Sequence, residues 1–327
     1  MSTRILTASA LILLLAGAGP AAAQSGGPDA AEAARNQARA AKFHAGVDKA
    51  ADLLENDPRL GKLTHEQRRE AVQFVSGNLA FALLHEMGHA HIQEMGLPVL
   101  GREEDAADTF AAVRLLKVGG FAHDVLIAAA KGWFLAAERD EKEGTRVPFY
   151  DEHGLDRQRA YNIICLMVGS DPDTFADLAD HAKMPQERQE TCAGDYSNAE
   201  WSWEQVLRPH VRTADQPRQK VTIVYGPAGG YPDVAAALRA TGMLEILAEH
   251  ETERYAWRRP FKFEARSCGQ PDLHWDLSTQ QVLVCYEMAA DFGQLFRDYG
   301  LTNDVFKAQL SRERGDCSPA RPAIKPK

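Results

Sequence analysis

The chain has 327 residues, 45% of them apolar, and a formal net charge of −9. That is room for two modest domains or one large one. The acidic balance argues against partners that require a basic face, nucleic acid and anionic membrane among them.

The first segment, "MSTRILTASALILLLAGAGPAAAQ", places Arg4 before an apolar run and closes on Ala21-Ala22-Ala23. This is the pattern of a signal peptide cleaved near Ala23. The apolar run is shorter than the ~20 residues a membrane span needs. No later segment is apolar enough to span, so no stable membrane insertion is expected after cleavage. The expected location is periplasmic or secreted, where disulfides persist. The five cysteines, Cys165, Cys192, Cys268, Cys285 and Cys317, form no CxxC pair, which argues against a cysteine zinc site. Proximity along the chain suggests Cys165–Cys192 and Cys268–Cys285, leaving Cys317 in a polar tail.

Residues 24–60 form an Ala-rich N-terminal segment, helical over 30–56, and whether it acts as a pro-segment is open from sequence. The stretch "LTHEQRREAVQFVSGNLAFALLHEMGHAHIQEMG" opens on Thr64 and Gln67, a capping box, and stops at Gly96 with Pro98 beyond. It is apolar nearly all round, as a buried helix is. A second helix is predicted over about 102–117 and another through "DVLIAAAKGWFLAAERDEKEG". "GTRVPFYDEHG" reads as a loop. Helices are predicted over 156–170, 172–183 and around Trp201, Trp203 and Leu207, and a single one through "YPDVAAALRATGMLEILAEHETERYAW". "QKVTIVYG", "FKFEARSCG" and "QQVLVCYEM" are strand-like, the last two separated by turn formers and so candidates for a hairpin. A final helix covers "AADFGQLFRDYG". The fold expected is α+β, mainly helical, with a small antiparallel sheet from the C-terminal part. The expected organisation is a helical core over 61–215, a strand and helix part over 216–310 packing on it, and a polar tail over 311–327.

The chemistry concentrates in "HEMGHAHIQEMGLPVLGREEDAAD". His85 and His89 are four apart and share a helix face, with Glu86 beside them. This is the arrangement of two metal ligands and one base. A catalytic zinc takes three protein ligands and keeps one position for water. The third-histidine variant of the motif is excluded, because Ile92 and Met95 stand at those positions. His91 points off the face. The remaining donors are Glu103, Glu104, Asp105 and Asp108. Glu104 and Asp108 are four apart, so one can bind metal while the other accepts the free N–H of a ligand histidine. Glu103 and Asp105 have no partner at that spacing and suit the helix N-terminus electrostatically.

The pattern His85-Glu86-x-x-His89 followed by Glu104-x-x-x-Asp108 resembles that of the gluzincin zinc peptidases. More closely, "HEMGHAHIQEMGLPVLGREEDAADTFA", "YNIICLMVGSDPDTF" and "CYEM" resemble a bacterial family of exported metallopeptidases once catalogued as a domain of unknown function. The resemblance implies Zn²⁺ on His85, His89 and Glu104, Asp108 supporting a ligand, Glu86 as general base, and a peptide or protein substrate. For the oxyanion donor it leaves His153, His274 and Tyr286 open. The competing reading is an exported zinc-binding scaffold with a structural metal and no catalysis. A solute-binding protein is disfavoured, since alternating strand–helix units are lacking. Typical zincins place a sheet before the HExxH helix, and an edge strand of it aligns the peptide. Here strand-like runs come only after the metal helices. The C-terminal strands are therefore expected to fold back and wall the cleft near Tyr286 or His274.

Overall fold

The computed structural model describes residues 30–146 and 149–301. The expected signal peptide over 1–23 and the expected polar tail over 311–327 with Cys317 lie outside the described residues. Among the described residues ten α-helices and four strands follow in chain order. They are α1 (Ala30–Leu53), α2 (His65–Met95), α3 (Glu103–Val118), α4 (Phe121–Glu143), α5 (Asp156–Ser170), α6 (Pro172–His181) and α7 (Gln186–Leu207). Then come β1 (Val221–Tyr225), α8 (Pro232–Thr241), α9 (Met243–Arg254), β2 (Phe261–Arg266), β3 (Leu273–Asp276), β4 (Gln281–Cys285) and α10 (Tyr286–Leu295). Among these helices none is long and apolar enough to cross a membrane.

The 31-residue α2 is the axis of the molecule. Its start is fixed by the capping box of Thr64 and Gln67, and its end by Gly96 in the left-handed region at φ 66°. Phe81, Leu83, Met87 and Ala90 are all but fully buried, as expected of a helix packed on every side. Helices α1, α3, α4 and α10 pack around it. Two close crossings rest on glycine. A Cβ at Gly132 would lie 1.9 Å from Asn78 Oδ1, and one at Gly88 would lie 3.0 Å from Ala107 Cα. The second crossing presses α3 against the HExxH turn of α2. A disulfide joins Cys165 of α5 to Cys192 of α7.

The predicted helix through 231–257 is two helices, broken at Gly242, which takes φ 64°. The sheet also departs from expectation. It is mixed, in the order β1-β2-β4-β3, with β1, β2 and β4 parallel and only β3 antiparallel, to β4. "FKFEARSCG" and "QQVLVCYEM" therefore do not form a hairpin. They are parallel neighbours, and the hairpin partner of β4 is the short "LHWD" between them. The turn at 277–280 is tight and held by Asp276, whose carboxylate accepts from Ser278 and Thr279, so local closure favours β3–β4 pairing. The second disulfide, Cys268–Cys285, ties the end of β4 to the chain leaving β2. Strand β4 runs straight into α10, so Tyr286 opens a helix instead of continuing a strand.

Candidate metal centre

Helices α2 and α3 bring the predicted donors together. His85 Nε2 and His89 Nε2 lie 3.1 Å apart. Glu104 Oε2 sits 3.0 Å from the first and 3.3 Å from the second. The other ring nitrogen of each histidine faces a carboxylate: His85 Nδ1 is 2.8 Å from Asp108 Oδ1, and His89 Nδ1 is 2.8 Å from Glu103 Oε1. Those contacts put the proton on Nδ1 in both rings and turn both Nε2 lone pairs inward.

With both imidazoles neutral, three acceptor atoms converge, and a metal ion or added protons must relieve their repulsion: burial pulls both imidazoles down, but the carboxylates of Glu104, Glu103 and Asp108 outweigh it and hold them above the ordinary histidine value. Glu104 Oε2 is buried without a well-aligned hydrogen bond, although His153 Nε2 also lies 2.9 Å from it. Buried carboxylate oxygens are rarely left so. One neutral-imidazole pair and one carboxylate oxygen at mutual distances of 3.0–3.3 Å are the donor set of a divalent cation with a borderline-soft character. The group fits a metal, and His85, His89 and Glu104 are the described residues that could hold it.

The supports of this cluster are built in layers. Asp108 accepts from both Arg159 Nε and Nη2 at 2.7 Å, and the Arg159 guanidinium lies 3.7 Å over the Trp133 ring. Burial pushes the Asp108 carboxyl up, but His85 and Arg159 outweigh it and hold the group below its ordinary range. Glu103 is more than a helix-terminus charge: it orients His89. The spacing argument overlooked it because α3 runs back along α2, so its first residues reach His89 while Asp108, one turn on, reaches His85. Asp105, by contrast, pairs with Arg102 at the surface. His91 does leave the face; it is fully buried, with Nε2 2.8 Å from Glu251 Oε2.

Glu86 is half-buried beside the histidines, and its desolvation there pushes its carboxyl up. Its Oε2 accepts the backbone N–H of Trp275 at 2.7 Å. Strand β3 therefore stands directly over the HExxH turn. Asp272 C=O accepts from Cys285 N at 3.0 Å, so by alternation the backbones of Leu273 and Trp275 face away from β4, along an open sheet edge. A cleft of about 820 Å³ lies between this edge and the metal helices, lined by Glu86, His89, Glu104, His153, Leu273 and Trp275 among others.

Of the three oxyanion candidates, two lie at the cleft. His153 Nε2 is 2.9 Å from Glu104 Oε2, and His274 lines the opposite wall with Nδ1 3.0 Å from Asp272. Tyr286 is fully buried at the start of α10 and does not line the cleft, because the strand-to-helix switch at Cys285 turns it into the core. Sequence reasoning also missed Arg159 and the Trp275 amide. The first has no motif spacing, and the second is backbone. Gly88 was the readable signal: a glycine inside a buried helix marks a close approach.

Residues 50–207 match the model of a family described as "Putative metallopeptidase". No curated protein and no solved structure matches the chain.

Proposed function

We propose that the chain is a zinc-dependent metallopeptidase that hydrolyses peptide bonds in the cleft between α2, α3 and β3. The observation that carries this is the convergence of His85 Nε2, His89 Nε2 and Glu104 Oε2 within reach of one metal ion, beside the half-buried Glu86. Zinc bound there would polarise a water and the substrate carbonyl. The family match supports the peptidase class.

The remaining roles fall to the chain's own groups. Glu86, with one oxygen fixed by the Trp275 amide, accepts the proton of the attacking water and returns it to the leaving amine. Its burial keeps the carboxyl basic enough to do so. Asp108 and Glu103 hold the two imidazoles in one tautomer. The open backbone of Leu273 and the Trp275 carbonyl align an extended peptide by strand addition. His153 is the favoured oxyanion donor, since its Nε2 already reaches Glu104 from the loop side of the cleft.

The competing reading is a scaffold with a structural metal. Such a site closes its fourth position with a protein group, and only three described residues converge. It also has no use for Glu86. The deciding experiment is the zinc content of purified protein together with casein hydrolysis before and after chelation. Glu86→Gln is expected to keep the metal and to lose hydrolysis by roughly 10²–10⁴-fold. Full activity in that variant, or activity untouched by chelation, overturns the proposal.

A further inference from the structure

Arg114 lies on α3 ten residues past Glu104, about 15 Å along the helix, and 5% exposed. A guanidinium is charged under all ordinary conditions, and a buried charge without a counter-ion is costly. Yet among the described residues no carboxylate lies within ion-pairing distance of it. Its one side-chain hydrogen bond among the described residues is Nη2 to His250 Nε2 at 3.3 Å, and its Nε is buried with no acceptor. Glu251 is reached only through His250, and its carboxylate is already committed to His91 and His250.

Arg114 borders a cavity of about 190 Å³ between α3, α7 and α9. Two more guanidiniums line it. Arg254 contacts Glu32 through Nη1 but leaves a buried Nε without an acceptor. Arg208, among the described residues, has no ion pair. The single carboxylate on the wall, Glu204, is neutralised by Lys117 Nζ at 2.6 Å. In a chain of net charge −9 this is a locally cationic, donor-rich pocket. The rest of its wall is apolar and aromatic, with Trp203 and Leu207 on one side and Tyr255 between the Arg114 and Arg254 side chains.

We propose that this cavity binds a small organic carboxylate with an apolar body, its carboxylate facing the Arg114, Arg208 and Arg254 side chains that line the cavity and its body against Trp203 and Leu207. Two sources share that chemistry: a free short-chain acid, and the terminal carboxylate of a peptide ending in an apolar residue. The site stands apart from the metal and rests on none of its chemistry.

The test is a titration of the full mature protein, zinc-loaded and chelated, read by tryptophan fluorescence with Trp203→Phe as the spectral control. The probes are hexanoate, a short peptide ending in leucine, its C-terminal amide, and inorganic phosphate. Saturable binding of hexanoate or of the free-acid peptide is expected, with the amide silent. Whichever of the two binds tighter identifies the source. Arg254→Gln and Arg208→Gln, both at positions with solvent access, should each weaken binding about tenfold, the scale of one charge-assisted hydrogen bond. Arg114→Met should abolish binding and leave the unliganded protein at least as stable as the parent, because an unpaired buried charge is removed. The proposal is overturned by the absence of saturable binding up to millimolar carboxylate, by phosphate binding as tightly as hexanoate, by binding lost on chelation, or by affinity indifferent to Arg254→Gln.

Discussion

The support beneath His85 offers the sharpest quantitative test. Replacing Asp108 by asparagine keeps the size of the side chain and removes its charge. In the parent, one carboxylate satisfies three donors: His85 Nδ1 at 2.8 Å and the Arg159 fork twice at 2.7 Å. A charge-assisted hydrogen bond contributes about 1.5–3 kcal/mol, and a buried cation stripped of its partner costs about 3–5 kcal/mol. Arg159 is 9% exposed, so the second figure governs. Asp108→Asn should therefore lose about 3–5 kcal/mol in the chelated protein, about 5–8 °C in Tm for a chain of this size. It should also weaken zinc by about 10–100-fold, the usual effect of removing an outer partner of a ligand histidine. Urea denaturation of the metal-free protein reads the first quantity, and competition against a chelator reads the second. A sign check comes from the pair. Adding Arg159→Met to Asp108→Asn removes the orphaned cation, so the double variant should be more stable than Asp108→Asn alone. Stability within about 1 kcal/mol of the parent, below the smallest single term, would refute this account of the site.

Other outcomes follow from the same contacts. Glu104→Gln should lose stoichiometric zinc, whereas Glu103→Gln should retain it with weakened affinity; the reverse result in metal analysis would exchange their roles. Gly88→Ala should lower zinc affinity without unfolding the chain, because the added methyl meets the Ala107 backbone at 3.0 Å and pushes α3 from α2 by a few tenths of an ångström. Asp57 sets an acid limb. Burial pushes its carboxyl up, but the Arg59 fork and the amides of Arg59 and Leu60 outweigh it and hold the folded pKa below 3.8. Its contribution is thus fully present above pH 3.8 and is lost as pH falls through the depressed value. The stability gap between parent and Asp57→Asn should be constant from pH 5 to 7 and narrow at lower pH, measured by denaturant titration; a gap that widens on acidification contradicts the assignment.

The helical part of this fold was legible because its signals are local. Thr64 with Gln67, Gly96, and the glycines at 119 and 120 mark helix ends through hydrogen bonding and backbone freedom, whatever the rest of the chain does. The Cys165–Cys192 and Cys268–Cys285 pairs were legible for the same reason: each joins the nearest available partner. The sheet was not, since its order depends on which four-residue run closes first, and "LHWD" is too short to announce itself beside Pro271. At the site, periodicity alone placed His85, Glu86 and His89 on one helix and paired Glu104 with Asp108. It could not place Glu103, because that contact comes from the antiparallel passage of α3 along α2. Nor could it place Arg159, which arrives from α5, or the Trp275 amide, which carries no side-chain signature.

The hydrogen bond from the Trp275 amide to Glu86 joins residues 189 positions apart, and that separation has a temporal meaning. Ribosomes deliver the chain from its N-terminus, so His85, His89, Glu86, Glu103, Glu104, Asp108 and Arg159 are all in place before β3 exists. β3 in turn has no sheet to join until β4 arrives to pair with it. A growing or prematurely ended chain can gather the ion-holding helices, but it has neither the groove wall nor the anchor for Glu86. On the proposed function, order of synthesis by itself would keep the unfinished enzyme from cutting its neighbours. No inhibitory segment would be needed for that interval.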